Sequence, residues 1–327
     1  MSRYEARRIR KDGFEAIVLR DSVADGVAEI VPELGNNLYR FSIGGREALV
    51  PPPGLREFKE KRDAAFRYGT PILFPPNRVK GGRIAYGGRE YRLPLNEPTN
   101  HLHGELCSRA WEVVDLGASE EDGAFVVSRF RYSRHPVILD YFPHLLAFTV
   151  TVRLREGRLD MCGTIANEGA DEAPFAFGLH PYFSLPFGSG EEISLRVPAA
   201  EEWPVTNEAF VTGRPSATAF SRELNRGVSI TDYPPLGCSL LSMDKDGDRT
   251  CRMELKDRGY AIAYRFGPAF PYVVLFRPDW ASAYSLEPYT YVTDAFNLPY
   301  ERELTGARGI GPGEEIGFDT SLWIESL

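Results

Sequence analysis

Leu145-Leu146-Ala147-Phe148-Thr149-Val150-Thr151-Val152-Arg153-Leu154, the turn Arg155-Glu156-Gly157, and Arg158-Leu159-Asp160-Met161-Cys162-Gly163-Thr164-Ile165 decide the fold. On both sides of the turn apolar residues alternate with polar ones, the period that lets a strand bury one face. The stretch reads as a long hairpin with one buried side. The same short period recurs outward in both directions, broken by Gly, Pro, Asn and Asp: residues 14–19, 27–30 and 38–43 before it, 111–116 and 125–132 beside it, and 261–266 and Tyr272–Phe276 after it. Arg83–Tyr86, Gly87-Gly88 and residues 89–93 form a second hairpin, because a Gly-Gly pair suits the primed two-residue turns that match strand twist. Cys238–Met243 and Thr250–Leu255, separated by Asp244-Lys245-Asp246-Gly247-Asp248, read as a third. Residues 314–318 and 321–324 read as two closing strands. Residues 54–67 are a charged surface excursion with room for one or two helical turns, and 198–215 is loop-rich. These patterns define antiparallel β-structure.

The chain has 327 residues, 43% of them hydrophobic, enough to bury a large core. No repeat, low-complexity segment or linker divides it, so residues 1–327 read as one domain. A net charge of −8 argues against nucleic acid or an anionic membrane as partner, since either needs a concentrated positive surface, and is compatible with a neutral ligand. Arg7, Arg8, Arg10 and Lys11 make a basic start that no apolar run completes into a signal peptide, and no membrane-length apolar stretch follows. A cytoplasmic protein is the expectation. Cys107, Cys162, Cys238 and Cys251 lack C-x-x-C spacing and are expected to be free thiols.

Chemistry concentrates at strand ends. In Phe175-Ala176-Phe177-Gly178-Leu179-His180-Pro181-Tyr182-Phe183 one bulky face ends at a histidine that Pro181 and the aromatic neighbours hold in place. Imidazole titrates near neutrality, so His180 is a candidate proton donor or acceptor, although a structural histidine bonded to a carbonyl also fits. Glu287 ends residues 282–286 in the same way, hemmed by Pro288 and Tyr289, with Ser285 on its face and Tyr284 and Leu286 on the other. Three prolines stiffen Tyr68-Gly69-Thr70-Pro71-Ile72-Leu73-Phe74-Pro75-Pro76 ahead of Asn77-Arg78, where the arginine can offer a directional fork of donors or pin the loop by a salt bridge. His101 and His103 are two apart, which on a strand puts both rings on one face and raises a metal site as one reading. Gly104 marks a close approach of backbone to something bulky. Asp244 to Asp248 lacks the spacing of a calcium loop and reads as a solvated turn.

In order, Asn77-Arg78, His103-Gly104, His180-Pro181-Tyr182-Phe183 and Glu287-Pro288-Tyr289 resemble the aldose 1-epimerase (galactose mutarotase-like) superfamily. The resemblance implies an all-β fold, a large antiparallel β-sandwich (supersandwich) with few short helices and a sugar cleft on a concave face. It implies an isomerase that interconverts α- and β-anomers of an aldose, with Glu287 as general base, His180 as general acid, and His103 and Arg78 holding hydroxyls and ring oxygen. Asn77 and Tyr182 join the expected sugar-binding set, and Asp232 stands for the family's sugar-binding aspartate. Here Glu105 replaces the second glycine that often follows the first histidine. Opening a hemiacetal moves one proton off the C1 hydroxyl and one onto the ring oxygen, so one base and one acid on opposite sides of the ring suffice and no cofactor or metal is expected. The partner is a small-molecule sugar, an aldose or a sugar phosphate, and the protein a monomer or homodimer. Three alternatives remain at this point: a hexose-6-phosphate 1-epimerase of the same family, a metal-dependent enzyme using His101, His103, His180 and Glu287, and a non-catalytic carbohydrate-binding β-sandwich protein.

Overall fold

Alternation along the chain resolves into three large antiparallel sheets in a computed structural model that describes residues 2–60 and 64–327. The first sheet runs in chain order: Tyr4–Lys11, Phe14–Asp21, Gly26–Val31, Asn37–Ile43 and Arg46–Glu47. Its first strand escapes the hydrophobic pattern because it is an edge strand rich in exposed arginines, the usual protection of an open edge. The second sheet has nine strands and is built around the hairpin at residues 145–165. Leu146–Arg155 and Arg158–Asn167 pair along their full length, and the turn residues Glu156 and Gly157 take φ of 52° and 70°, as a primed turn requires. Glu112–Ser119 and Gly123–Arg131 flank it on one side, and Glu315–Ser326, Tyr260–Phe266, Thr250–Leu255, Ser194–Arg196 and Val228–Ser229 on the other.

The third sheet forms one wall of an open cleft. Ala199–Trp203, Cys238–Met243, Tyr272–Phe276 and Ala283–Tyr289 lie side by side, with Gly178–Leu179 and Ile72–Leu73 continuing the order and Tyr182–Ser184 also pairing with Ala283–Tyr289. Alternation splits its side chains. Leu241, Val273, Leu275, Tyr284 and Leu286 enter the main core, where they meet Ile17, Leu19 and Ile30 of the first sheet and Phe148, Val150 and Ile165 of the second. Val274, Phe276, Cys238 and Glu287 face the opposite way, into an open cleft. At about 25 cal/mol per Å² buried, the shared core is the main term holding the three sheets together.

Three expectations change, and the helical turns expected at 54–67 are present. Cys238–Met243 and Thr250–Leu255 are both strands, but the acidic turn between them crosses from the third sheet to the second, and they do not pair. Alternation finds a strand; it does not say which sheet the strand joins. The two closing strands are one, Glu315–Ser326, bonded to both Arg158–Asn167 and Tyr260–Phe266. Residues 198–215 are not all loop, since Ala199–Trp203 is a strand with a register shift between Ala199 and Glu201 that blurs its period. The excursion at 54–67 contains the helix Leu55–Glu60, whose Leu55 and Phe58 are buried, and its far end reaches the cleft; residues 61–63 lie outside the described residues. The other short helices are Pro136–Tyr141, Ala219–Leu224 and Arg302–Thr305, and no described helix is long and apolar enough to cross a membrane. The four cysteines are free thiols, Cys107 and Cys251 buried.

Candidate active site

Register alone brings the two proton-handling groups together. Gly178 pairs with Tyr289 and Tyr182 with Ser285, so the chain between them runs antiparallel to Ala283–Tyr289 and leaves His180 opposite Glu287. Facing residues of an antiparallel pair project to the same side. His180, Tyr182, Ser285 and Glu287 therefore share the cleft face. His180 Nε2 lies 3.4 Å from Glu287 Oε1, with both side chains at most 5% exposed. The pair sits on one wall rather than on opposite sides of the cleft.

Each partner is held by its own neighbours. His180 Nδ1 is 2.8 Å from Ser285 Oγ, and Tyr182 Oη is 3.0 Å from His180 Nε2 while its ring stacks on the imidazole at 4.4 Å. Ser285 Oγ donates to the Pro181 carbonyl at 2.7 Å. Tyr289 donates its hydroxyl hydrogen to Glu287 Oε2, which leaves Oε1 as the oxygen beside the imidazole. The Tyr289 ring passes against the Gly178–Leu179 strand so closely that a Cβ at Gly178 would lie 2.4 Å from its Cδ1.

His103 enters from another direction. Asn100–Leu102 pairs with Arg78–Lys80, and at its end His103 and Gly104 turn with φ of 61° and 66°. That turn breaks strand alternation, so His101 and His103 do not share a face. His101 bonds the Pro94 carbonyl at 2.7 Å through Nδ1 and does not line the cleft. His101, His103, His180 and Glu287 do not converge, and among the described residues no three His, Cys, Asp or Glu side chains are grouped as a metal site. Gly104 meets what its sequence context foretold: a Cβ there would sit 1.8 Å from the Phe74 carbonyl oxygen. Asn77 donates its backbone N–H to His103 Nδ1 at 3.1 Å, so the neutral ring carries its hydrogen on Nε2. His103 and His180 pack edge to face at 5.2 Å. Arg78 lines the cleft with its fork already engaged, Nε and one Nη on Glu97 at 2.8 and 2.7 Å and the other Nη on the Glu208 carbonyl at 3.3 Å.

Burial sets the proton affinities. It raises the Glu287 carboxyl to about 8 against the opposing Tyr289 hydroxyl and Arg78 charge. It lowers the His180 imidazole to about 3, and burial with the nearby His180 and Arg78 holds His103 well below its usual 6.5. In the empty cleft at neutral pH one proton belongs to the Glu287–His180 pair, and it rests on the carboxyl. This differs from the ionised pair expected from the sequence, because neither charge is favoured where water is excluded.

The cleft has a volume of about 940 Å³ and holds Asn77, Arg78, His103, His180, Tyr182 and Glu287 together. Asp232 is exposed on a turn and is not among the lining residues; the segment Pro234-Pro235-Leu236-Gly237 just beyond it is. The lining aspartate is Asp279, beside Trp280. Trp280 packs edge-on against Tyr182 at 5.1 Å and against Tyr68 at 4.9 Å. Phe66, Arg67 and the Asn207-Glu208-Ala209 loop complete the rim. None of these carries a strand period. A signal existed only for Trp280, a large aromatic in a Pro-Asp-Trp turn between two strands where packing alone does not call for one.

The open face of the third sheet thus carries a buried carboxyl–imidazole pair in a cleft lined by polar and aromatic side chains. The chain belongs to the aldose 1-epimerase family, whose model matches residues 18–323. It is 27% identical to the uncharacterized protein YphB of Escherichia coli (strain K12) over 285 residues, 84% of this chain and 90% of that one. Among solved structures it resembles a galactose mutarotase-like protein from Clostridium acetobutylicum, with a TM-score of 0.89 at 24% identity and 99% of each chain covered. Galactose 1-epimerase from Lactobacillus acidophilus gives a TM-score of 0.78 at 16% identity, again over 99% of each chain. These structural likenesses establish a galactose mutarotase-like fold.

Proposed function

We propose that the protein is an aldose 1-epimerase acting on an unphosphorylated sugar. The observation that carries this reading is the 3.4 Å contact between His180 Nε2 and Glu287 Oε1 in the cleft wall. The two oxygens of a hemiacetal share one carbon, so an acid and a base that touch each other reach both at once. Glu287 takes the proton of the C1 hydroxyl as His180 gives one to the ring oxygen; rotation about C1–C2 and the reverse transfers close the other anomer. The pair carries one proton in every state, and ring opening leaves it on Glu287, where burial favours it. A bound hydroxyl donating to Oε1 and a ring oxygen accepting from Nε2 favour the opposite arrangement, so binding moves the proton to the imidazole. His103, fixed with its hydrogen on Nε2, acts as a neutral donor to a sugar oxygen, and Asn77 holds it so. Tyr182 and Trp280 offer aromatic surface to the apolar side of a pyranose. No step calls for a cofactor.

Charge selects the neutral sugar. Of the charged groups lining the described cleft, Arg67 and Arg78 face Glu97, Glu208 and Asp279, the Glu287–His180 pair being neutral overall, and Arg78 is already paired with Glu97. A phosphate dianion would enter a rim with no surplus of cations. Polarimetry on freshly dissolved, anomerically pure aldoses and their 6-phosphates tests this. The expected result is accelerated mutarotation of at least one free aldose, with its 6-phosphate turned over at least about tenfold less well. Preference for the phosphate would assign the hexose-6-phosphate reaction, and sugar binding with no acceleration would assign a binding protein.

A further inference from the structure

We propose that Ser285 is a positioning residue that fixes His180 with its hydrogen on Nδ1, so that Nε2 alone exchanges protons in the cleft. The inference rests on the epimerase reading for its catalytic consequence and on hydrogen counting for its structural one. A serine hydroxyl has one hydrogen. Ser285 Oγ lies 2.7 Å from the Pro181 carbonyl, which has no hydrogen of its own to share, so the Ser285 hydrogen must occupy that contact. What remains on Oγ is a lone pair, and at 2.8 Å from His180 Nδ1 it can only accept. Nδ1 therefore carries the hydrogen of the neutral ring. Nε2 is left as the acceptor, and Tyr182 satisfies it from 3.0 Å. The hydrogens of the Ser285 hydroxyl, the neutral His180 ring and the Tyr182 hydroxyl all find acceptors this way.

The opposite tautomer fails the same count. With the hydrogen on Nε2, either the Ser285 hydroxyl turns to Nδ1 and abandons the Pro181 carbonyl, or Nδ1 and Oγ face each other with lone pairs. The Tyr182 hydroxyl, now accepting from Nε2, also loses the acceptor for its own hydrogen. Ser285 is fully buried, so water is not at hand to repair the losses at its hydroxyl and at the Pro181 carbonyl. The arrangement parallels His103, where the Asn77 backbone N–H fixes the other tautomer. As neutral rings the two histidines that meet edge to face thus turn a donor nitrogen at 103 and an acceptor nitrogen at 180 to the cleft. Strand register accounts for the contact: Ser285 pairs with Tyr182 across the strands, which places it beside the imidazole.

The test is a long-range ¹H–¹⁵N NMR spectrum of His180 at neutral pH, in the wild type and in Ser285→Ala and Ser285→Thr, paired with steady-state kinetics. The wild type is expected to show Nδ1 protonated and Nε2 unprotonated. Ser285→Ala is expected to mix the tautomers and to lower kcat by about ten- to a hundredfold, with KM changed less than about twofold, because a misplaced imidazole hydrogen disables proton transfer rather than binding. Ser285→Thr keeps a hydroxyl and is expected to restore the Nδ1–H form and most of kcat. A wild-type His180 with its hydrogen on Nε2 would overturn the proposal whatever the variants do. So would Ser285→Ala that keeps both the wild-type tautomer and kcat. If the wild type shows the Nδ1–H form and accelerates mutarotation of no aldose, the epimerase reading fails while the tautomer assignment stands.

Discussion

In the proposed reaction Glu287 and His180 act as a unit, because each is useless in the protonation state the other lacks. Two protons on the pair leave no base, and none leaves no acid. Coupled groups of this kind titrate with values that belong to the pair, here about 3 and about 8. The kcat/KM profile is therefore expected to be flat from about pH 4 to about pH 7 and to fall as pH rises through about 8, where the shared proton is lost. Stopped-flow polarimetry across pH 4–9.5 measures this directly. A rate that instead climbs through pH 8 would mean that ionised Glu287 works alone as a base. The residues proposed to carry this chemistry were legible one at a time as strand-end groups, and the resemblance grouped them; the structure places them in one cleft. Their protonation was not legible, because it depends on burial that only the assembled sheet creates.

At the scale of elements, the site depends on two short strands crossing one long one. Gly178–Leu179 and Tyr182–Ser184 both lie against Ala283–Tyr289, and the break between them at His180-Pro181 lets the imidazole turn into the cleft. Gly104 makes the corresponding corner for His103. Gly104→Ala introduces a Cβ 1.8 Å from the Phe74 carbonyl oxygen at a φ of 66°, so the backbone must move. It is expected to destabilise the fold by about 3 kcal/mol or more in urea denaturation, and to raise KM as His103 shifts. A variant with wild-type stability would show that the loop has slack the structure does not reveal. Sequence reading located this glycine correctly, and it put His101 and His103 on one face only on the condition that both lie in a strand, which ends at Leu102. It also paired Cys238–Met243 with Thr250–Leu255, since alternation is the same for a strand that stays in its sheet and one that leaves it. Asp232 missed the cleft by a few residues for a related reason: a turn has no period from which to tell which side chain points inward.

For the whole molecule, a shared core fixes the frame and the cleft works against it. Glu287 folds from a usual carboxyl value of 4.5 to about 8, so its contribution to stability is complete below pH 4.5 and is lost as pH rises through about 8. His180 falls from 6.5 to about 3, so its contribution is complete above pH 6.5 and is lost as pH falls through about 3. Between 4.5 and 6.5 the two slopes cancel, and above 6.5 only the loss from Glu287 remains. Glu287→Gln removes that loss. In thermal unfolding it is expected to be more stable than the wild type by a few kcal/mol at pH 9, on the scale of about 1.4 kcal/mol per pKa unit, with the gap shrinking towards pH 5. An equal gap at both pH values would deny the burial cost assigned to this carboxyl. The fold class was plain in the sequence because the 145–165 hairpin and its relatives repeat one pattern along most of the chain. The rim of the cleft, from Phe66 to the 207–209 loop, is where that pattern stops. The most direct measurement of the central claim is ¹H NMR of freshly dissolved α-aldoses in D₂O with the wild type and with Glu287→Gln. Ring opening through Glu287 and His180 predicts faster appearance of the β-anomer with the C2 hydrogen retained, and a loss of roughly a hundred- to ten-thousandfold in the variant. Equal acceleration by both proteins, or exchange of the C2 hydrogen for deuterium, would contradict it.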